Sequence, residues 1–414
     1  MGHYLERLKS EPEANRWRLV RHWLFTEPQP FFAEMRVESP VLALPELTLL
    51  FRHADCTRVL RSHDVFVVDL EKPKQGGYFM AQDDTAVHWR EKSLMKTVLD
   101  REDLPKIREW VAAETAKRLA AGGGRIEMIS GLSRAVPIAL VQTWFGFSSI
   151  KAERLQEWSY WNQQDAFWNQ PFDDIVVADP AAIVAKRNEA NVGLAIHVGF
   201  LVARRWLASL VGWRGKDVVS RIVRLSRSGA VRFSLKDVVF NVGGLLIGAV
   251  ETTSHTTVNA LDTLTRDPAL LARAIAAAKS EDTAAFDGYV FEALRFRPAF
   301  PYFFRTCHAP MAMAVGTPFE TTIPVGATVL AVTHSAMFDP LNVPEAEAFD
   351  PARAPTETFT FGFGLHECLG RGVASVMVPE ILRQILRAPD IQALGRPDFK
   401  GGPVPEKWDL TYRV

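Results

Sequence analysis

From Ser234 to Thr265 the chain runs without a proline. It opens on Ser-Leu-Lys-Asp, where Ser234 offers a cap and an acid follows three residues on, and it stops before Asp267-Pro268. This punctuation predicts one continuous helix, about 48 Å long at about 1.5 Å per residue, enough to cross a whole domain. A helix of that length must be surrounded by a large body, which narrows the fold to helix-rich architectures. Within it, Gly244, Gly248, Thr252 and Thr256 fall four residues apart, a nearly side-chain-free stripe on one face. An interior glycine costs roughly 1 kcal/mol relative to alanine, so the stripe answers a steric demand. Either another helix packs closely there, or something flat and bulky lies against it. Glu251 and Thr252 set an acid beside an alcohol near the end of the stripe. The pair suits proton delivery to a bound oxygen species; the plainer reading is a threonine bonded back to its own helix. His255, one turn beyond Glu251, is placed to hydrogen-bond it and either orient it or hold it away.

Helices are predicted over 105–121, 131–146, 151–164, 184–212 and 269–279, with strand-like runs at 41–51 and 310–332 and helical spacing again in ADCTRVLRSH after the first. The fold class is therefore α+β, mostly helical, with small β-sheets beside the long central helix. No repeat, charge block or linker divides the chain, so residues 1–414 read as a single domain. The 48 Lys and Arg balance 48 Asp and Glu, leaving no global field for nucleic acid or an anionic membrane. Cys56, Cys307 and Cys368 are too few, too far apart and odd in number for a disulfide framework, which points to a reducing compartment. The N-terminal stretch is charged throughout and no uncharged apolar run reaches the roughly eighteen residues of a bilayer span. A cytoplasmic protein without a transmembrane anchor is expected, with a conditional membrane contact through loops left open.

Phe361 to Gly370 reads FGFGLHECLG. Glycines at 362 and 364 allow backbone conformations closed to other residues, so main-chain N–H groups can turn toward Cys368 and temper a thiolate there. Gly370 presents no side chain to a flat ligand. A thiolate so held can be the axial ligand of haem iron; a buried structural cysteine in a glycine-rich turn is the other reading. Glu292 and Arg295, three apart, read alone as a surface pair. His88 and Lys92 share a helical face that either grips an anion or faces solvent. The aromatic and polar run 158–174 is either packing beneath a surface loop or the wall of an apolar pocket.

Taken in order, these segments resemble the haem-thiolate monooxygenases, the cytochromes P450, from about residue 80 to 375. The cysteine loop is similar to the family's Phe-x-x-Gly-x-His/Arg-x-Cys-x-Gly through Phe361, Gly364, His366, Cys368 and Gly370. The central helix matches its small-residue–acid–Thr pattern through Gly248, Ala249, Glu251 and Thr252. Glu292 and Arg295 match its buried Glu-x-x-Arg, and Asp350 and Arg353 its downstream meander. The resemblance implies haem b (iron protoporphyrin IX) with Cys368 as the metal ligand. It also implies cofactor contacts from Phe361, Gly362, Gly370, Gly248 and Ala249, and propionate anchors at His88, Lys92, Arg305 and His366. Lys92 stands where an arginine is usual, keeping the charge but losing the bidentate fork, so Arg90 is a second candidate. SAMFDP at 335–340 and Val373 to Met377 depart from the usual bacterial pattern, which implies altered redox-partner contacts.

The implied activity is O₂-dependent oxidation of a hydrophobic small molecule such as a fatty acid, terpenoid or aromatic natural product. Thr252 and Glu251 are its catalytic residues, the first bonding the oxygen and the second feeding protons. Electrons would come from a ferredoxin or flavodoxin and its reductase, steered by Arg90, Lys92, Lys96 and Arg101. The substrate pocket is expected from residues 65–80, 158–174, 245–252 and 299–304. Lys72 and Lys74 either bind a carboxylate or lie in a solvated loop. Rival readings are an H₂O₂-dependent peroxygenase, for which the acid–alcohol pair is redundant, and a non-catalytic haem sensor or binding protein. A cysteine hydrolase is disfavoured, because Cys368 and His366 are two apart on a tight loop.

Overall fold

The computed structural model describes residues 2–414 except 84, 174, 176, 230, 231 and 354–357. Its central helix starts as the sequence predicts. Ser234 and Asp237 form a reciprocal capping box, and the helix runs Leu235–Ala249. It does not continue unbroken: Val250 (φ −97°, ψ −71°) interrupts it before it resumes as Glu251–Thr265. Two side chains explain the break. The Thr252 hydroxyl donates to the Gly248 carbonyl (2.6 Å), and Gln163 Nε2 donates to the Ile247 carbonyl (2.6 Å). Side-chain donors inserted at successive carbonyls open the backbone ladder.

Helices Leu104–Gly122, Ala152–Gln163, Pro180–Leu210, Pro268–Lys279, Thr283–Phe296 and Arg371–Arg387 surround this pair, close to the predicted bounds where these were made. Val242, Leu246, Val258 and Leu261 of the central pair are buried with Phe286 and Ile381 in one apolar core. The stretch predicted as one helix over 131–146 is more irregular: π-helical Ile129–Ser133 and Val141–Phe145 flank α-helical Ala135–Leu140. Pro137 lacks the N–H that would close an ordinary turn.

The sheets are small. The largest has five strands in the order Val41–Ala43, Thr48–Leu50, Thr328–Ala331, Phe303–Cys307, Phe66–Val67. Its one parallel pairing joins Thr48–Leu50 to Thr328–Ala331. The run predicted as β over 310–332 contains Met311–Met313 and Thr321–Ile323, an antiparallel pair, as well as the Thr328 strand. Trp23, Phe31, Phe32 and Phe51 pack beneath this side as a second, aromatic core. Placing Phe303–Cys307 in the sheet and Thr283–Phe296 in the helical body brings the 299–304 connection to the same cavity as the central helix.

Candidate functional site

Cys368 sits just before the Arg371–Arg387 helix, with its own N–H donating to the Phe361 carbonyl (2.8 Å). Gly362 and Gly364 have φ of 72° and 70°, the left-handed region that glycine reaches without penalty. At Gly364 a Cβ would also lie 2.6 Å from the Leu60 carbonyl oxygen. The loop so folded aims the N–H groups of Gly370 and Arg371 at the Cys368 sulfur. A helix start favours a thiolate in this way, but burial outweighs it and raises the thiol pKa.

The sulfur faces a cavity with about 1790 Å³ of atom-free space, part of it open to solvent. Phe361, Gly362 and Gly370 line it beside Cys368; Gly248, Ala249, Thr252 and Thr256 line it from the central helix. The glycine stripe divides its tasks. A Cβ on Gly244 would meet the Tyr78 ring at 2.3 Å, so that position serves close packing, whereas nothing lies within 4 Å of one built on Gly248. The close packing at Gly244 is against a loop side chain rather than another helix, and the space at Gly248 is open to the cavity. Apolar walls come from Val68, Met80, Phe167, Leu245, Phe300 and Phe303. The aromatic run 158–174 likewise splits: Trp158 is buried in the core, while Phe167 lines the cavity.

The predicted anchors fall into two pairs. Arg305 and His366 line the cavity. Arg305 is buried, and its hydrogen bond among the described residues goes to the neighbouring Phe304 carbonyl (2.7 Å). His366 Nδ1 lies 3.1 Å from the Met80 carbonyl, and its Nε2 is buried without a partner among the described residues. His88 and Lys92 are buried as well, not a solvated face. Both reach the Leu365 carbonyl of the cysteine loop, His88 through Nε2 at 3.3 Å and Lys92 through Nζ. His88 Nδ1 is fixed by the Phe79 and Gln82 carbonyls at 2.9 and 3.0 Å. Burial brings Lys92 down to about 8. Arg90 instead pairs with Glu91 (3.0 Å), so Lys92 rather than Arg90 approaches the loop.

Glu251 does not reach toward His255. Its Oε2 accepts from Arg134 Nε (2.9 Å), Arg134 also holds Glu406 (2.9 Å), and Oε1 is buried without a partner among the described residues. Burial raises the Glu251 pKa against the pull of Arg134 and lowers His255 to about 3. Thr252 does bond back to its helix, yet it also lines the cavity. Glu292 and Arg295 are the opposite of a surface pair. They form a buried two-point ion pair (2.9 and 2.6 Å) with Arg353 3.5 Å from Glu292. Asp350 contributes its backbone N–H to Glu292 (3.0 Å).

Sequence reasoning missed Gln163 at the helix break and Glu71 in the cavity wall, where burial raises the carboxyl to about 7. Glu71 lies beside Lys72 and Lys74 in a stretch whose composition reads as solvated, and no local pattern marks it. Lys74 does not lie in a solvated loop: its Nζ donates to the Asp165 carbonyl (2.8 Å) and that of Asn169.

The chemistry of these groups fits a flat dianionic macrocycle holding a metal. A sulfur donor with two N–H groups aimed at it, open space above Gly248, a buried arginine and an orphaned imidazole nitrogen converge on one cavity. Fold and site together define a haem-thiolate oxygenase. The chain belongs to the cytochrome P450 family, whose model matches residues 22–396, and it is a P450 monooxygenase by that membership. It is 27% identical to cytochrome P450 monooxygenase PikC of Streptomyces venezuelae, covering 88% of this chain and 85% of that one. It is 26% identical to the erythromycin C-12 hydroxylase of Saccharopolyspora erythraea, with 81% and 80% covered. Among solved structures it shares the fold of CalO2 (TM-score 0.77, 16% identity, 93% and 96% covered). It shares it also with CYP109E1 of Bacillus megaterium in complex with testosterone (TM-score 0.76, 18% identity, 94% and 99% covered).

Proposed function

We propose that this chain is a single haem b domain that oxidises a hydrophobic natural product with O₂, using electrons from a separate ferredoxin or flavodoxin and its reductase in the cytoplasm. The observation that carries the reading is the Cys368 sulfur facing Gly248 and Thr252 across one apolar-walled cavity. Haem, when bound, would supply the redox and oxygen-activating chemistry, tuned by a thiolate donor. Cys368 would hold it through sulfur and Arg305 and His366 would take its carboxylate edge, while His88 and Lys92 brace the loop at the Leu365 carbonyl.

The Thr252 hydroxyl donates its hydrogen bond to the Gly248 carbonyl, so in this arrangement its oxygen accepts from the cavity. It therefore holds a proton donor in place rather than supplying the proton itself. Glu251, with a raised pKa and an unpartnered Oε1, can carry a proton once it exchanges Arg134 for water. An internal acid and alcohol are redundant when peroxide brings both oxygen and protons, which favours O₂ over the peroxygenase reading.

The apolar walls exclude water and favour a hydrophobic substrate, in keeping with the hydroxylase and epoxidase names of several relatives. Lys92 is buried, so a docking patch for an acidic electron carrier is left to Arg90, Lys96 and Arg101. Reduction under carbon monoxide should give the red-shifted Soret band of sulfur ligation, absent in Cys368→Ser. Ferric protein screened against lipids, terpenoids and aromatic metabolites should give binding shifts with apolar members. A wild-type band identical to that of the serine variant would overturn the assignment.

A further inference from the structure

The chain's charges balance overall, yet between residues 190 and 236 there are nine Lys and Arg against a single acid, Asp217. This segment also carries the largest run of exposed apolar side chains. The Pro180–Leu210 helix packs Ala190, Leu194, Val198, Leu201 and Val202 inward. Its outward face should be polar in a helix that meets only water. Instead Val192 (63% exposed), Ile196 (51%), Phe200 (73%), Leu207 (59%) and Leu210 (51%) follow one another along it. The positions between them on that face are Gly199 and Ala203. The helix is long and apolar enough to span a bilayer by composition, but its inner face is committed to the core, so it can only lie along a surface.

The cations gather where the stripe ends. Val211 is 86% exposed and Trp213 42%. Arg204, Arg214, Lys216, Arg227 and Arg232 are exposed around them. Arg227 donates to Ser209 (2.6 Å), which fixes the Val218–Arg227 helix beside this end, and Asp217 is already taken by Arg205 (3.3 Å).

We propose that this face docks the enzyme on an anionic phospholipid surface, with the Val192–Leu210 stripe at the acyl boundary and the arginine and lysine collar among the headgroups. An apolar ridge and a basic collar at its C-terminal end are the two contributions that hold an amphipathic helix in a membrane interface, and the one acid on the stripe, Glu189 at its other end, lies 3.7 Å from Lys186. A second copy packed collar to collar would set like charges together, Asp217 being already taken by Arg205. A protein partner would need a groove for a projecting ridge, whereas lipid conforms to it.

The test uses haem-loaded enzyme in cosedimentation with phosphatidylcholine vesicles and with vesicles also containing phosphatidylglycerol. Binding should require phosphatidylglycerol and weaken as salt rises. Phe200→Ser with Ile196→Ser, and separately Arg214→Glu with Lys216→Glu, should each lower partitioning about tenfold or more. Both pairs are exposed, so the carbon monoxide spectrum should stay that of the wild type. The proposal is overturned if wild-type enzyme stays in the supernatant at low salt. It is overturned equally if both variants bind like wild type, or if Phe200→Ser abolishes a concentration-dependent dimer while no vesicle binding is seen.

Discussion

Two of the buried arginine–carboxylate networks among the described residues are finished differently. Around Arg295, both Glu292 oxygens accept hydrogen bonds, and the guanidinium also reaches the Met337 and Ala348 carbonyls (3.1 and 3.0 Å). Around Arg134, Glu251 and Glu406 each keep one buried oxygen without a partner among the described residues. A buried ion pair is weak evidence of stability, but removing one partner from a fully paired site strands a charge. In the first network both carboxylate oxygens are occupied and only the Arg353 Nε lacks a hydrogen bond among the described residues, so it is a frame, joining the Thr283–Phe296 helix to the 337–353 segment. The second, at the break in the central helix, leaves a carboxyl that can change partners.

The difference is sharpest in the response to single substitutions. Arg295→Ala should strand buried Glu292 at a cost of about 3–5 kcal/mol, a large part of a typical total of about 5–15 kcal/mol. Soluble haem-loaded protein should be nearly lost, as read by yield and by the carbon monoxide spectrum. Glu251→Gln should instead keep fold and haem content and lower product turnover about 100-fold, the loss of a proton donor. Turnover equal to wild type would show that Glu251 is as structural as Glu292.

Acid should attack the frame. His334, buried with the Arg295 guanidinium nearby, is lowered from 6.5 to about 3, chiefly by burial. The fold prefers its neutral form, so this stability is present above about pH 6.5 and is lost as pH falls toward about 3, at about 1.4 kcal/mol per pH unit. Between about pH 6.5 and 5 that is about 2 kcal/mol, and His334→Gln should flatten the corresponding fall in Tm. Smallest in energy is Thr252→Ala, which should leave stability within about 1 kcal/mol while product formed per electron consumed drops severalfold and released peroxide rises. Unchanged coupling would refute the accepting role of the Thr252 hydroxyl.

Much of this was legible in advance. The Ser234 capping box and the helix punctuation around residues 105–121 are local chemistry, and the structure reproduces both. The cysteine loop was readable because its glycines sit where left-handed backbone is required. The break at Val250 was not, since it depends on Gln163 arriving from another helix. Nor was the direction of Glu251: an i,i+4 partner at His255 is what one helix offers, and Arg134 comes from 117 residues away. Glu71 and the burial of Lys92 were hidden for the same reason, because charged residues in a polar-looking stretch carry no sign of what folds over them.

By itself the sequence determined the capped start of the central helix, the bounds of the helix around 105–121 and the glycine positions of the cysteine loop, since these rest on contacts within a few positions. Tertiary structure alone decided that Gly244 receives Tyr78 while Gly248 stays open, that one acid is locked and another left half-paired, and that the outer face of Pro180–Leu210 remains bare. Burial and partner choice are properties of distant segments brought together, and a local pattern cannot encode a desolvation that another part of the chain imposes.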